Sequence, residues 1–458
     1  MGTLGITGAC ANPNLNVYRR AFIKRKSLST GLFESTWTEI TSDIKKWGSV
    51  KMTTDVTRPG KLTIDGIRLS VQNTDGKFNA PDNESSLWYG YGSQQRTLVK
   101  VSAGFYRDTQ SSSLIWNRLK APGTAYWDED RWDQVNWDQD DVIFTGIISG
   151  DVILGDNQEV QLQVKPLMQV FKDFPAPMLT GLNDSITASG FMTLLRDQTD
   201  GSGNFLFRPF FGDTTTYWDI SATSNIFSAI STNTSDSLKG KSVFDVMESL
   251  AEAERFLCYI DNSGVFRFTP NTASASVDFQ FYGVNKFNSN YGHGIKSIGR
   301  YSYDQGRYYS RVEVKFREES TTTSYSIVQS GLTITSANAA WQYGQKSLNI
   351  ENLFIPTSTA AATIAQSIYT DVTSLRRVLE FKSSFVPHLN LLDKISVYID
   401  TSDIPSTETL WDLNDWDTEL TWDDSRGNAI ILEGQEFKFL SIDINLDTFE
   451  TSYVAREL

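Results

Sequence analysis

Two stretches, Leu98-Val99-Lys100-Val101 and Leu392-Asp393-Lys394-Ile395-Ser396-Val397, begin what reads as the same β unit occurring twice in this chain. Each is a β-prone strand centred on a lysine. A second strand opens 44 or 45 residues after that lysine and starts a similar closing hairpin pattern, Phe144–Val164 in the first unit and Phe439–Val454 in the second. Because the order and the spacings agree, we infer two copies of one β module within the chain.

Each unit also contains a segment in which Trp-Asp pairs recur every five or six residues. The tryptophans are Trp127, Trp132 and Trp137 in the first unit and Trp411, Trp416 and Trp422 in the second. Three interpretations remain open. The segments are long loops or hairpins whose Trp side chains pack over the barrel, or a subunit interface with Trp as rigid anchors, or sites of glycan stacking or Ca²⁺ binding by the clustered carboxylates. The Asp-x-Asp-x-Asp-Gly pattern of an EF-hand is absent, which counts against calcium.

The pattern around these units predicts the rest of the architecture. Short strands broken by turns occupy 37–174, and Val160–Val164 alternates apolar and polar residues strictly. Helical spacing appears at Ser185–Arg196 and Ser242–Leu257, and a hairpin follows the second of these helices. Strands return after Ile295 and are interrupted by one helix from Thr359 to Leu375.

The predicted fold is therefore mainly β with an α+β insert, made of two related β-barrel-like modules and a small helix-and-hairpin domain. The predicted domains are an N-terminal arm over 1–36, a first β-barrel-like domain over 37–174, the α+β insert over 175–294, and a second β-barrel-like domain with one helix over 295–458.

The arm contains a basic cluster on an otherwise acidic chain. Its members are Arg19, Arg20, Lys24, Arg25 and Lys26. Two interpretations are open: an arm that docks on an acidic neighbouring copy, and a solvated strand with a basic face.

Composition excludes several classes of protein. The 458 residues include 41 Lys and Arg against 55 Asp and Glu, a formal net charge of −14, so tight binding to nucleic-acid phosphates is not expected. No stretch approaches the roughly 18 uncharged apolar residues of a membrane helix, and the first residues lack the pattern of a secretion signal. We expect a soluble globular protein.

Residues for catalysis or metal binding are scarce. Cys10 and Cys258 lie far apart without a CxxC pattern, and the chain has two histidines, His293 and His388. Gly240-Lys241-Ser242 ends like a phosphate-binding loop but lacks its first glycine. We expect Cys258 to be a buried structural thiol. We expect no enzyme activity, no catalytic residue, no cofactor and no metal.

Several blocks resemble the tail-tip proteins of tailed bacteriophages. In the N-terminal half these are Leu69–Asn79 with its Asn-x-Asp-Gly turn, the strand at Leu98, and Phe144-Thr145-Gly146-Ile147-Ile148. The helix and hairpin over Val243–Phe268 are similar to the insert of that family. The block that begins with the Ala360–Leu375 helix and ends with the last hairpin is similar to its C-terminal part.

The resemblance implies a baseplate hub or tail-hub protein in the virion, at the tip of the tail, assembled in the host cytoplasm. Such hubs are typically homotrimers that lie between the tail tube or a distal ring above and spike, fibre or receptor-binding proteins below, around the DNA ejection channel. For this role we predict assembly contacts by Arg19, Arg20, Lys24 and Arg25 and by the Trp-Asp segments.

Two alternatives stay open. A sixfold distal-tail adaptor ring needs only one barrel per chain, so the inferred duplication speaks against it. A glycan-binding or carbohydrate-active tail protein would use exposed Trp and Asp side chains along a groove or an acidic pair in a deep cleft.

Overall fold

The structure, a computed structural model, describes most of the two predicted barrels and of the insert. The described residues are 17–27, 29–55, 57, 62–91, 94–105, 139–149, 153–154, 158–182, 186–212, 215–227, 238–283, 294–316, 327–328, 346–352, 354–355, 357–373, 376–400 and 430–458. The Trp-Asp segments, Cys10 and His293 lie outside these residues.

The N-terminal part consists of strands. They are β1 Val17–Lys24, β2 Thr38–Glu39, β3 Ile44–Lys46, β4 Ser49–Thr54, β5 Leu62–Ile64, β6 Ile67–Gln72, β7 Leu98–Phe105, β8 Gln139–Ile148, β9 Ile153–Leu154 and β10 Glu159–Pro166.

The first large sheet has the order β2-β1-β7-β8-β10-β6-β3. Its two ends are joined by one short piece of chain, because β2 pairs with β1, β3 pairs with β6, and only a 3-10 turn at Thr41–Asp43 with its flanking Ile40 separates them. The turn is held against β1, where the Ala21 amide donates to Thr41 Oγ1 at 3.0 Å. The sheet therefore curls into a barrel-like unit.

The insert combines helices with small sheets. Its elements are α1 Gln169–Lys172, β11 Ile186–Thr187, α2 Ala188–Asp197, α3 Arg208–Phe211, β12 Trp218–Ile220, β13 Ile226–Phe227, α4 Val243–Glu254, β14 Phe256–Ile260 and β15 Phe266–Pro270. Helix α4 begins with a capping box, in which Ser242 accepts from the Asp245 amide and the Asp245 carboxylate accepts from the Ser242 amide. It ends at Arg255, which adopts a left-handed conformation with φ of 61° and turns the chain into β14. Ser242 thus serves as a helix cap.

The C-terminal part returns to strands around one long helix. Its elements are β16 Phe279–Gly283, β17 Ile295–Tyr303, β18 Arg311–Lys315, β19 Ile327–Val328, β20 Ser347–Glu351, α5 Ser358–Val372, β21 Arg377–Ser384, β22 Lys394–Asp400, β23 Ile431–Asn445 and β24 Glu450–Glu457. Thr357 caps α5 by accepting from the Ala360 amide.

The second large sheet has the order β16-β22-β23-β24-β21-β17, and β4 adds to it by pairing with the far half of β23. Its two end strands approach each other: a Cβ placed on Gly283 of β16 would lie 2.6 Å from Cβ of Ile295 in β17. This sheet also curls into a barrel-like unit, so the chain is mainly β with two barrel-like modules and an α+β insert, as the sequence predicts.

The two units repeat one strand order. The run β7-β8-β10-β6-β3 corresponds to β22-β23-β24-β21-β17, and every neighbouring pair in both runs is antiparallel. One further strand lies beside the first strand of each run, and its direction differs between the units: β1 is antiparallel to β7, whereas β16 is parallel to β22. A β-bulge interrupts β7–β8 after Val101 and β22–β23 after Val397. Alignment of the two bulges matches Val101 with Val397, whereas alignment of the two lysines matches Val101 with Ile395. The difference is two residues, which is one period of a strand, so both alignments place the same strand face in the core.

Two apolar cores hold the molecule together. One contains side chains of both barrel-like units, including Val101 and Val397. The other lies around α4 and also takes in α5 and the strand β18. The second core crosses the predicted boundary at residue 295, because β18, β20 and α5 pack on the insert rather than in the second barrel. Strand β16, before that boundary, lies in the second barrel. Apolar periodicity indicates that a strand or helix has a buried face but not which core that face meets.

Among the described residues, no helix combines the length and the apolar content needed to cross a membrane.

Candidate functional site

The long connections that carry the Trp-Asp pairs leave the two barrel-like units at equivalent places. In the first unit the connection joins β7 to β8, whose last and first residues, Phe105 and Gln139, are paired. In the second it joins β22 to β23, and Asp400 is paired with Ile431 in the same way. Each connection therefore leaves and re-enters its sheet at one point, and the point is the same in both units. The six tryptophans themselves lie outside the described residues, so their predicted contacts stay a prediction.

The predicted basic arm forms strand β1 from Val17 onward. This strand is paired with β7 along its whole length, from Val17 opposite Phe105 to Lys24 opposite Leu98. The segment from Val17 is thus an integral part of the first barrel-like unit.

Arg19 lies at the junction between the two barrel-like units. Its guanidinium carbon is 5.0 Å from the ring centres of both Trp47 and Phe449, and its Nη1 donates to the carbonyl of Leu446. Asp447 lies 3.7 Å away. Burial lowers the pKa of Arg19, although Asp447 opposes the shift. Strand β1 and the β23–β24 turn belong to different units, so this side chain connects them.

The same turn also binds the chain that leads into β4. The carboxylate of Asp447 accepts hydrogen bonds from the amides of Trp47 and Gly48, each at 3.0 Å, and the Leu446 amide donates to Gly48. We call Arg19, Trp47, Asp447 and Phe449 the inter-barrel junction. No sequence pattern indicates this junction, because Arg19 and Trp47 lie at least 400 residues away from Asp447 and Phe449 along the chain.

Arg25 also has partners within the chain. Its Nε donates to Glu34 at 2.8 Å, and its guanidinium lies 4.2 Å from the ring centre of Tyr91. The hydrogen bond to Glu34 raises the pKa of Arg25. Lys24 lies over Trp37 at 5.8 Å and Arg20 over Tyr18 at 5.0 Å. The assembly role predicted for these four basic residues stays a prediction.

Cys258 lies in β14 and is 5 % exposed, the buried position that the sequence predicts. Burial raises the pKa of its thiol. His388 packs edge-on against Phe279, and burial lowers the pKa of its imidazole to about 4. Its neutral ring is part of the packing at the start of β22.

No family model matches the chain, and no curated protein matches its sequence. Several solved structures resemble it over most of its length. The tail protein from Neisseria meningitidis MC58 has a TM-score of 0.49 at 10 % identity, with 96 % of each chain covered. The 43 kDa tail protein of prophage MuSo2 from Shewanella oneidensis has a TM-score of 0.46 at 12 % identity, covering 96 % of this chain and 98 % of that one. The prophage tail protein gp18 from Listeria monocytogenes EGD-e has a TM-score of 0.44 at 8 % identity, covering 95 % and 94 %.

Proposed function

We propose that this chain is a non-enzymatic structural protein of a phage tail tip. In this role it is a hub that joins the tail tube to distal spike, fibre or receptor-binding proteins and surrounds the ejection channel. The observation that carries the proposal is the repetition of one five-strand order in two barrel-like units of a single chain.

The repeated strand order would let a trimer match the symmetry of a sixfold tube. A homotrimer of a chain with two similar units presents six similar modules in a ring, and such a ring can face a sixfold tube on one side and threefold partners on the other. The inter-barrel junction suits this role, since Arg19 and Asp447 fix the two units of one chain relative to each other.

The paired connections supply matching contact elements. In a trimer, the β7–β8 and β22–β23 connections would occur six times at equivalent positions around the ring. Their tryptophans have the rigidity and area of interface anchors, so we assign them to contacts with the tube or with neighbouring subunits.

The net charge of −14 fits a ring that surrounds DNA, because a wall of like charge discourages phosphates from adhering. A trimeric assembly whose channel is lined by basic residues would contradict this part of the proposal.

Electron microscopy of particles labelled with gold-tagged antibodies against this chain tests the location. The proposal predicts gold at the distal end of the tail, in the virion, and threefold averages of that region. Gold along the tube or on the capsid would rule the hub out, and sixfold averages at the tip would favour a distal adaptor ring.

The glycan-binding alternative is tested separately. It requires saturable binding of purified chain to glycans of the host surface and loss of that binding in Trp132→Ala and Trp416→Ala. The hub predicts that these two variants lose assembly into tails and that the unaltered chain binds no glycan.

A further inference from the structure

A polar cavity of about 200 Å³ lies where the insert, helix α5 and the second barrel-like unit meet. It is open to solvent at one side and is bounded by the end of α4, the last turns of α5, and strands β23 and β24. Its basic lining side chains are Arg255, Arg376, Lys438 and Arg456.

Arg456 is the most deeply buried of these cations, with 6 % of the residue exposed. One terminal nitrogen of its guanidinium donates to the carbonyl of Asp371 at 2.6 Å. Its Nε is buried and has no hydrogen-bond partner within the described part of the chain. An unpartnered buried guanidinium nitrogen is costly, so a small shift of the side chain that brings this atom to a partner is expected to be favourable.

Arg376 repeats this arrangement. Its Nη1 donates to the carbonyl of Glu457 at 3.2 Å, and its buried Nε again has no partner among the described residues. Two guanidinium groups that line the cavity thus each have a donor nitrogen without a partner among the described residues.

Lys438 provides a third cation at the same cavity. Its Nζ donates to Asn271 Oδ1 at 2.9 Å, which is a neutral partner. Burial lowers the pKa of Lys438 and of Arg456, and the nearby Arg376 lowers that of Arg456 further. The positive charges of Lys438, Arg376 and Arg456 therefore lie close enough to influence one another, and Asp371 opposes the shifts of Lys438 and Arg456.

Three carboxylates also line the cavity, and two of them have donors of their own. Asp55 accepts from the amide and hydroxyl of Thr57, and Glu457 accepts from the Arg377 amide. The third, Asp371, attracts Lys438 and Arg456 but, within the described chain, forms no ion pair with either at 4.0 Å or less. The lining side chains are thus four cations and three carboxylates, while Leu458 also borders the cavity and Asp304 acts on Arg456, on a chain that is strongly negative overall.

We propose that the cavity binds a small tetrahedral oxyanion of the phosphate or sulfate class. Planar guanidinium groups match the oxygen geometry of such anions and form charge-assisted hydrogen bonds with them. The cavity is large enough for one such ion together with waters. The anion would bind the guanidinium groups of Arg376 and Arg456, whose side chains must shift slightly before their buried Nε atoms can reach it, and it would connect the insert, α5 and the second barrel-like unit.

Thermal unfolding of the full chain tests this proposal with inorganic phosphate, sulfate and chloride at matched ionic strength. A ligand that binds only the folded state raises Tm with saturation. We expect a saturable rise with phosphate and with sulfate, and a matching binding isotherm by calorimetry. A rise no larger than that produced by chloride would overturn the proposal.

Arg376→Gln is the variant to compare, because Arg376 is only half-buried and its loss leaves the packing of Arg456 in place. Removing a charge-assisted donor should weaken phosphate binding by about tenfold or more. Arg300→Gln is the matched control, since Arg300 lies on the exposed face of β17 in the same barrel-like unit. Equal phosphate affinity in Arg376→Gln and in the unaltered chain would overturn the assignment.

A short single-stranded oligonucleotide separates free anion from phosphodiester. We expect inorganic phosphate to bind and the oligonucleotide not to compete with it. If the oligonucleotide competes with phosphate and this competition is lost in Arg376→Gln, the ligand of the cavity is a nucleic-acid strand and not a small anion. That result would contradict the proposal.

Discussion

At the scale of single residues, we expect Arg19 to contribute more to stability than its partly exposed position suggests. The guanidinium lies between two aromatic rings and donates to a carbonyl of the other barrel-like unit. We expect Arg19→Ala to lower the free energy of unfolding by about 1–3 kcal/mol. Urea titration measures this change.

Arg300→Ala provides the control for that experiment. Its partner Glu380 lies 3.6 Å away, and both side chains are more than 40 % exposed, so the loss should be within about 0.5 kcal/mol. Equal losses of unfolding free energy in the two variants would show that Arg19 does not stabilise the inter-barrel junction.

Asp393 gives a residue-scale prediction about pH. Burial, reinforced by the charge of Asp278, raises the pKa of this carboxyl group to about 7. An unfolded aspartate titrates near pH 4, so between about pH 4 and pH 7 the folded chain binds more protons and this group's contribution to stability falls as pH rises.

Asp393→Asn removes the titrating group, so its contribution to stability no longer falls as pH rises. The variant keeps an oxygen that can accept from the Asn390 amide. Relative to the unaltered chain, the variant should therefore gain about 1–3 kcal/mol of stability between pH 4 and pH 7. Urea titrations at both pH values measure the change. A stability difference that is the same at both would show that the raised pKa is absent.

At the scale of elements, Gly146 explains a motif that the sequence presented without a reason. In Phe144-Thr145-Gly146-Ile147-Ile148 the glycine lies on β8, opposite β10, and an added Cβ would be 2.3 Å from the carbonyl oxygen of Lys165. Only a residue without a side chain allows the two strands to approach in this way.

Gly146→Ala should therefore lower the free energy of unfolding by about 2 kcal/mol or more, because the strand backbone must shift. Gly201→Ala is the matched control: nothing lies within 4 Å of an added Cβ there, and a small stabilisation is expected. Chemical denaturation of both variants measures the contrast, and a neutral Gly146→Ala would refute the close-approach explanation.

At the scale of the whole molecule, sequence patterns predict the strands, the helices and their order, but not the contacts between distant parts of the chain. The insert and the helices α4 and α5 follow from periodicity and turn residues that lie within a few residues along the chain, and the repeated unit follows from comparing the order and spacing of strands in two such stretches. The inter-barrel junction and the cationic cavity join residues hundreds of positions apart. Arg456, for example, lies in a strand whose alternation gives no sign that its outer face meets an insert.

The mass of the purified assembly tests the central claim most directly. Two similar barrel-like units in one chain have their use in a threefold ring of six modules, so light scattering on the purified full chain should give three times the chain mass. A stable monomer or a hexamer would contradict the account, since neither needs the duplication to match a threefold hub to a sixfold tube.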